Sequence, residues 1–109
     1  MERQVERDVV YGVRYSENVG CGNTCVCNHK NKTYVILHGN LVGEINRKKR
    51  KVKLYDGGFQ SNVTKSRLNC ILDGLCISNK VARRNREWYL IDRRGESSEP
   101  FKNGMELSY

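Results

Sequence analysis

Between residues 33 and 55, apolar and polar positions form three short β-prone runs. They are TYVILH (33–38), LVGEI (41–45) and KVKLY (51–55). β-branched and aromatic residues dominate them, and turn-prone residues separate them. Gly39-Asn40 predicts the first turn, and the polar stretch NRKKR (46–50) predicts the second. The expected unit is an antiparallel meander. The period then changes. Leu68, Ile71, Leu72 and Leu75 recur at i, i+3, i+4 and i+7 and predict one apolar stripe on a helix at about 64–75. Thr64 is the expected N-cap, with Ser61 as the alternative start. Gly74 is expected to end the helix in the left-handed conformation. The stripe should cover the sheet face that carries Val35, Leu37 and Leu54. Residues 76–83 and 88–92 predict a last hairpin around Arg84-Asn85-Arg86. Upstream, VVYGVRY (9–15) reads as a first strand. The Gly-, Asn- and Cys-rich stretch 16–32 reads as a long loop with a short strand near Val26. Phe101, Met105 and Leu107 are available to pack back. The expected fold class is α+β: a mostly antiparallel sheet, meander plus C-terminal hairpin, with one helix on one face.

Composition bounds this picture without changing it. The 109 residues suit a single domain, 1–109. Hydrophobic residues at 38% and charged residues at 29% fit a globular chain with a wet surface. Twenty Lys and Arg against twelve Asp and Glu give a net charge of +8. That excess attracts polyanions, such as nucleic acid, a ribonucleoprotein or an acidic membrane, and excludes a DNA mimic. MERQVERDVV is charged throughout and lacks the apolar core of a signal peptide. No apolar run approaches the ~20 residues of a membrane span. The expectation is a cytosolic protein with no membrane partner.

The positive charge is clustered. Arg47, Lys48, Lys49, Arg50, Lys51 and Lys53 form one block at a hairpin tip. Lys80, Arg83, Arg84 and Arg86 form a second block, and Arg93-Arg94 a third. A tip of consecutive cations repels itself and gains nothing for folding, whereas a phosphate backbone relieves the repulsion and releases counterions. Meander topology expects Arg93 and Arg94 beside the 47–50 tip, with the 83–86 tip at the opposite end. Lys65 and Arg67 fall in the predicted first helical turn, where a cation opposes the helix dipole. An anion held by the free N–H groups, Lys65 and Arg67 would explain them. The corner itself is not a P-loop, because GGFQSNVTKS lacks the glycine–lysine pair that cradles a nucleotide.

Cys21, Cys25, Cys27 and His29 have the spacing C-x3-C-x-C-x-H, with ligand types that suit zinc. Ordinary zinc sites leave a long gap between two close pairs, and here all four crowd into one short segment. Reduced cysteines without metal are the favoured reading, and no cofactor is expected. Five cysteines, an odd count in a chain expected to be cytosolic, do not suggest a disulfide framework. GxSxG and HExxH are absent, and neither His29 nor His38 has a carboxylate beside it in sequence. The expectation is a protein that is not an enzyme.

Leu37–Leu72 resembles small accessory proteins of tailed bacteriophages. The pieces that carry the resemblance are Gly39-Asn40, Gly57-Gly58-Phe59 and Thr64-Lys65-Ser66-Arg67-Leu68-Asn69, a strand, a corner and a helix. The resemblance implies an early phage protein in a host bacterial cytoplasm. Such proteins often interfere with host restriction or CRISPR nucleases. The implied function is an anti-CRISPR-like inhibitor that binds a host nucleoprotein, its guide RNA or its DNA channel through the basic tips. A general phage nucleic-acid-binding accessory protein is the alternative. A small zinc- or cysteine-dependent protein using the Cys21–His29 segment is the second alternative.

Overall fold

The predicted meander sits at the centre of a six-stranded sheet. In the computed structural model, residues 4–58, 60–92, 94 and 97–109 are described, Cys21 by its backbone alone. Chain order is α1 (Gln4–Tyr15), β1 (Val19–Cys21), β2 (Thr24–His29), β3 (Lys32–Leu37), β4 (Asn40–Asn46), β5 (Lys51–Leu54), α2 (Asn62–Gly74), β6 (Asn79–Arg84), β7 (Glu87–Asp92), β8 (Ser98–Pro100) and β9 (Met105–Ser108). The larger sheet has the order β1-β2-β3-β4-β5-β9, and β6-β7-β8 form a second sheet. Every described pairing is antiparallel. The α+β class therefore holds.

The segment 9–15, expected as a strand, belongs to α1 instead. Val9 and Val13 lie a helical turn apart on a stripe that Val5 extends, and both are fully buried. Valine alone favours strands, but this spacing lets α1 pack along α2, and packing overrides propensity. Residues 16–32 are likewise not a long loop, although the strand expected near Val26 is present as β2. They hold the β1–β2 hairpin and β2 itself, which pairs with β3 over its whole length.

Helices α1 and α2 cover one face of the larger sheet. Val35, Leu37 and Leu54 point into that layer with Leu68, Ile71 and Leu72, and all are buried. Each such side chain contributes about 1.5–3 kcal/mol by leaving water. Gly43 lets α2 come close, since a Cβ there would collide with Ile71 Cδ1. Phe101 and Trp88 are buried edge to face, with ring centroids 5.4 Å apart. Met105 and Leu107 pack against the core from β9, as expected of the tail.

Ser61 is the N-cap of α2, not Thr64: Thr64 N–H donates to Ser61 Oγ at 3.1 Å. The corner before it is built by Gly57 (φ 70°) and Gly58 (φ 86°), with Gly58 N–H donating to Asp56 Oδ1 at 2.8 Å. Phe59 lies outside the described residues. The helix does not end on a left-handed Gly74. Leu75 is the C-cap, and the left-handed residue is Cys76 (φ 59°). Ile77 N–H bonds Leu72 O and Cys76 N–H bonds Asp73 O, the two bonds of a Schellman ending.

Candidate nucleic-acid interface

Strand alternation sorts the basic residues before any ligand is considered. On β3, β4 and β5, Val35, Ile45, Val52 and Leu54 face the helices. Lys32, Asn46, Lys51 and Lys53 therefore face the other way, onto the open side of the sheet. Register places them in two rows. Lys32, Asn46, Lys51 and Ser108 lie side by side across β3, β4, β5 and β9. Glu44, Lys53 and Glu106 lie side by side in the next row. Between the rows and the 47–50 turn is a hollow of about 370 Å³, lined by Lys32, Glu44, Asn46, Lys49, Lys51, Lys53 and Glu106. A second hollow of about 260 Å³ shares Lys32 and Asn46 with the first, and adds His29, Lys30, Asn31 and Lys48. Together they make one trough at the end of the sheet.

The arginines of the predicted patch have other work. Arg47 Nη2 donates to Val13 O at 2.7 Å, and its Nε donates to Thr33 Oγ1 at 2.9 Å. Val13 lies in the last turn of α1, whose carbonyls lack helical partners and carry the negative end of the dipole. Arg47 is thus a helix-end latch, not a free tip cation. Arg14 does the same for α2, with Nη2 donating to Asp73 O at 3.1 Å. Arg50 Nε donates to Tyr109 O at 2.8 Å, and its guanidinium lies 4.8 Å from the Tyr109 ring centroid.

Arg67 departs furthest from expectation. With Ser61 as the cap, Arg67 sits in the second turn of α2 and is only 4% exposed. Its Nε donates to Thr24 Oγ1 at 2.8 Å, Nη1 to Ser66 Oγ at 3.1 Å and Nη2 to Asn23 Oδ1 at 3.3 Å. The guanidinium ties α2 to the β1–β2 hairpin. Lys65 is half-buried in the first turn, its N–H already donating to Ser61 O at 3.0 Å. The two do not form the expected anion cradle.

The lysines are different. Among the described residues, the ammonium groups of Lys30, Lys32, Lys48, Lys49 and Lys53 make no hydrogen bond or ion pair. Lys51 approaches Glu106 at 3.9 Å. Arg83, Arg84 and Arg86 are exposed at the β6–β7 turn, on the second sheet. Arg93 lies outside the described residues. Arg94 N–H donates to Asp92 Oδ1 at 3.0 Å, and no hydrogen bond joins Arg94 to the 47–50 turn. The strand end beside that turn belongs to β9, not β7: Tyr109 N–H donates to Arg50 O at 3.0 Å.

Lys30, Lys32, Glu44 and Glu106 were not singled out from sequence. Reading 16–32 as a loop hid the first two, although Lys32 joins the row of Asn46 and Lys51 once β3 begins one residue earlier. Cys25, Cys27 and His29 are exposed on one face of β2, spread at alternate positions about 6.6 Å apart. The crowding of these ligand types in sequence is therefore not crowding in space. Among the described residues no three His, Cys, Asp or Glu side chains converge as a metal site.

The family described as Kyanoviridae Gp96 protein matches residues 2–108, and the chain belongs to this family of phage proteins. No curated protein and no solved structure was found to match. Among the described residues no helix is long and apolar enough to cross a membrane.

Proposed function

We propose that this member of the Kyanoviridae Gp96 family is a non-enzymatic counter-defence protein that binds a host nucleoprotein, such as a CRISPR effector, at its exposed nucleic acid. The observation that carries the reading is the set of unpaired lysines around the trough. Four ammonium groups, Lys30, Lys32, Lys48 and Lys49, stand at one sheet end with no internal partner, and folding alone has no use for them. Phosphates would relieve their mutual repulsion and release counterions. A positively charged nucleic-acid channel would repel the same surface, so the guide strand is the complementary target rather than the channel wall. No cofactor enters this reading, and the host cytoplasm is where it places the protein. Membership of a phage family supports the setting.

The test is capture from a bacterial lysate, with and without nuclease treatment, followed by nuclease assays on what is captured. Recovery of an effector complex that the protein inhibits at one-to-one stoichiometry supports the proposal. Bulk nucleic acid without an effector supports the general nucleic-acid-binding alternative. Capture that ignores both salt and nuclease removes the polyanion reading.

A further inference from the structure

We infer that the trough binds single-stranded RNA in preference to DNA, with phosphate at its lysine end and a ribose 2′-hydroxyl at Glu44 and Glu106. The inference rests on the polyanion reading above and narrows it.

The trough is not uniformly basic: its turn end carries cations alone, and its other end mixes the two signs. At the turn end stand Lys30, Lys32, Lys48 and Lys49, all without internal partners. On the β4, β5 and β9 side two carboxylates flank Lys53: Glu44, which makes no hydrogen bond or ion pair among the described residues, and Glu106, which Lys51 approaches at 3.9 Å. A site meant only for phosphate gains nothing from carboxylates in its wall, since they repel the ligand. Carboxylates accept hydrogen bonds, so the fitting ligand presents a donor next to its phosphates. The RNA backbone does so at every residue through the 2′-hydroxyl, and DNA does not. An O–H donating to an ionised carboxylate is a charge-assisted bond, roughly twice as strong as one between neutral groups.

The dimensions favour a strand. The larger hollow, about 370 Å³, falls in the ~300–1,000 Å³ range of sites that take a small ligand. The second hollow, about 260 Å³, continues from it across Lys32 and Asn46, so a chain of nucleotides can run from one to the next.

The test compares three oligonucleotides of one sequence and about ten residues: oligo(A), oligo(dA) and 2′-O-methyl oligo(A). The last keeps the RNA sugar pucker but cannot donate from the 2′ position. Binding is read by fluorescence anisotropy at two salt concentrations. Oligo(A) should bind about tenfold more tightly than the other two, the worth of one charge-assisted bond. Glu44→Gln with Glu106→Gln should bring all three within about twofold of one another, since the lost charge favours all three and only oligo(A) also loses its charge-assisted bond. Lys32→Ser with Lys49→Ser should weaken all three alike. Equal binding of oligo(A) and oligo(dA) by the unaltered protein overturns the RNA preference and leaves the polyanion reading standing. An unchanged preference in the glutamine variant overturns the assignment to Glu44 and Glu106. Failure to bind any of the three at low salt removes both readings together.

Discussion

Asn69 on α2 and Val81 on β6 are bound to each other twice. Asn69 Nδ2 donates to Val81 O at 3.1 Å, and Val81 N–H donates to Asn69 Oδ1 at 2.7 Å. The side-chain amide thus does for β6 what a neighbouring strand would do, at the edge that β7 leaves unpaired. It fixes the second sheet to the helix and blunts an edge open to pairing with another chain.

Asn69→Ala should therefore be costly although Asn69 is only half-buried. It leaves the N–H and C=O of Val81, a residue 2% exposed, without partners. The expected loss is about 1–3 kcal/mol in urea denaturation. A change within about 0.5 kcal/mol would show that apolar packing alone docks the second sheet.

The end of α2 gives a paired prediction. A Cβ at Gly74 would lie 2.7 Å from Val13 Cγ1 and 3.1 Å from Val10 O, so Gly74→Ala should force the helices apart. The expected cost is about 1–3 kcal/mol. Cys76 carries the positive φ of 59° instead, and Cys76→Gly should raise stability by about 1 kcal/mol. The two glycine exchanges, measured by thermal unfolding, should move the midpoint in opposite directions.

That pair shows what sequence could and could not reveal. A glycine near a helix end with an apolar stripe before it reads as a terminator, and the helix does end there. Which residue turns left-handed, and whether the glycine serves the turn or the neighbouring helix, depends on α1. Valine-rich α1 was legible only by extending its window back to Val5, where the spacing of Val9 and Val13 repeats. The meander was legible because alternation and turn residues agree locally. The free lysines and the committed arginines could not be told apart from sequence, because Arg47 meets Val13 and Arg67 meets Asn23 and Thr24 only across long chain separations.

Arg67 should behave as a structural residue. Arg67→Glu would put a carboxylate against Asn23 Oδ1 and Thr24 Oγ1 in a buried site. It should destabilise the fold by more than about 2 kcal/mol, not relieve the helix dipole. Arg67→Lys keeps the charge but cannot reach all three acceptors with the planar fork, and should lose less. Lys65→Glu, in the first turn, should change stability by under about 1 kcal/mol. Chemical denaturation of the three variants separates the roles. A stabilised Arg67→Glu protein would mean that the guanidinium is not held as described.

The 47–50 turn should split into two classes of residue when altered one at a time. Arg47→Ser removes the donors to Val13 O and Thr33 Oγ1 and leaves the last turn of α1 without its latch. A loss of about 1–3 kcal/mol is expected, seen first as a fall in helical signal at lower temperature. Lys48→Ser with Lys49→Ser breaks no internal bond, so stability should stay within about 0.5 kcal/mol. Binding should respond in the reverse order. The lysine pair should lower the slope of log affinity against log salt by roughly one unit for each phosphate no longer neutralised. Arg47→Ser, assayed well below its unfolding transition, should leave that slope nearly unchanged. The combination matters more than either half. Loss of the slope with Arg47 alone would return the tip arginine to the interface, and an unaltered slope in the lysine variant would make the turn a solvated one.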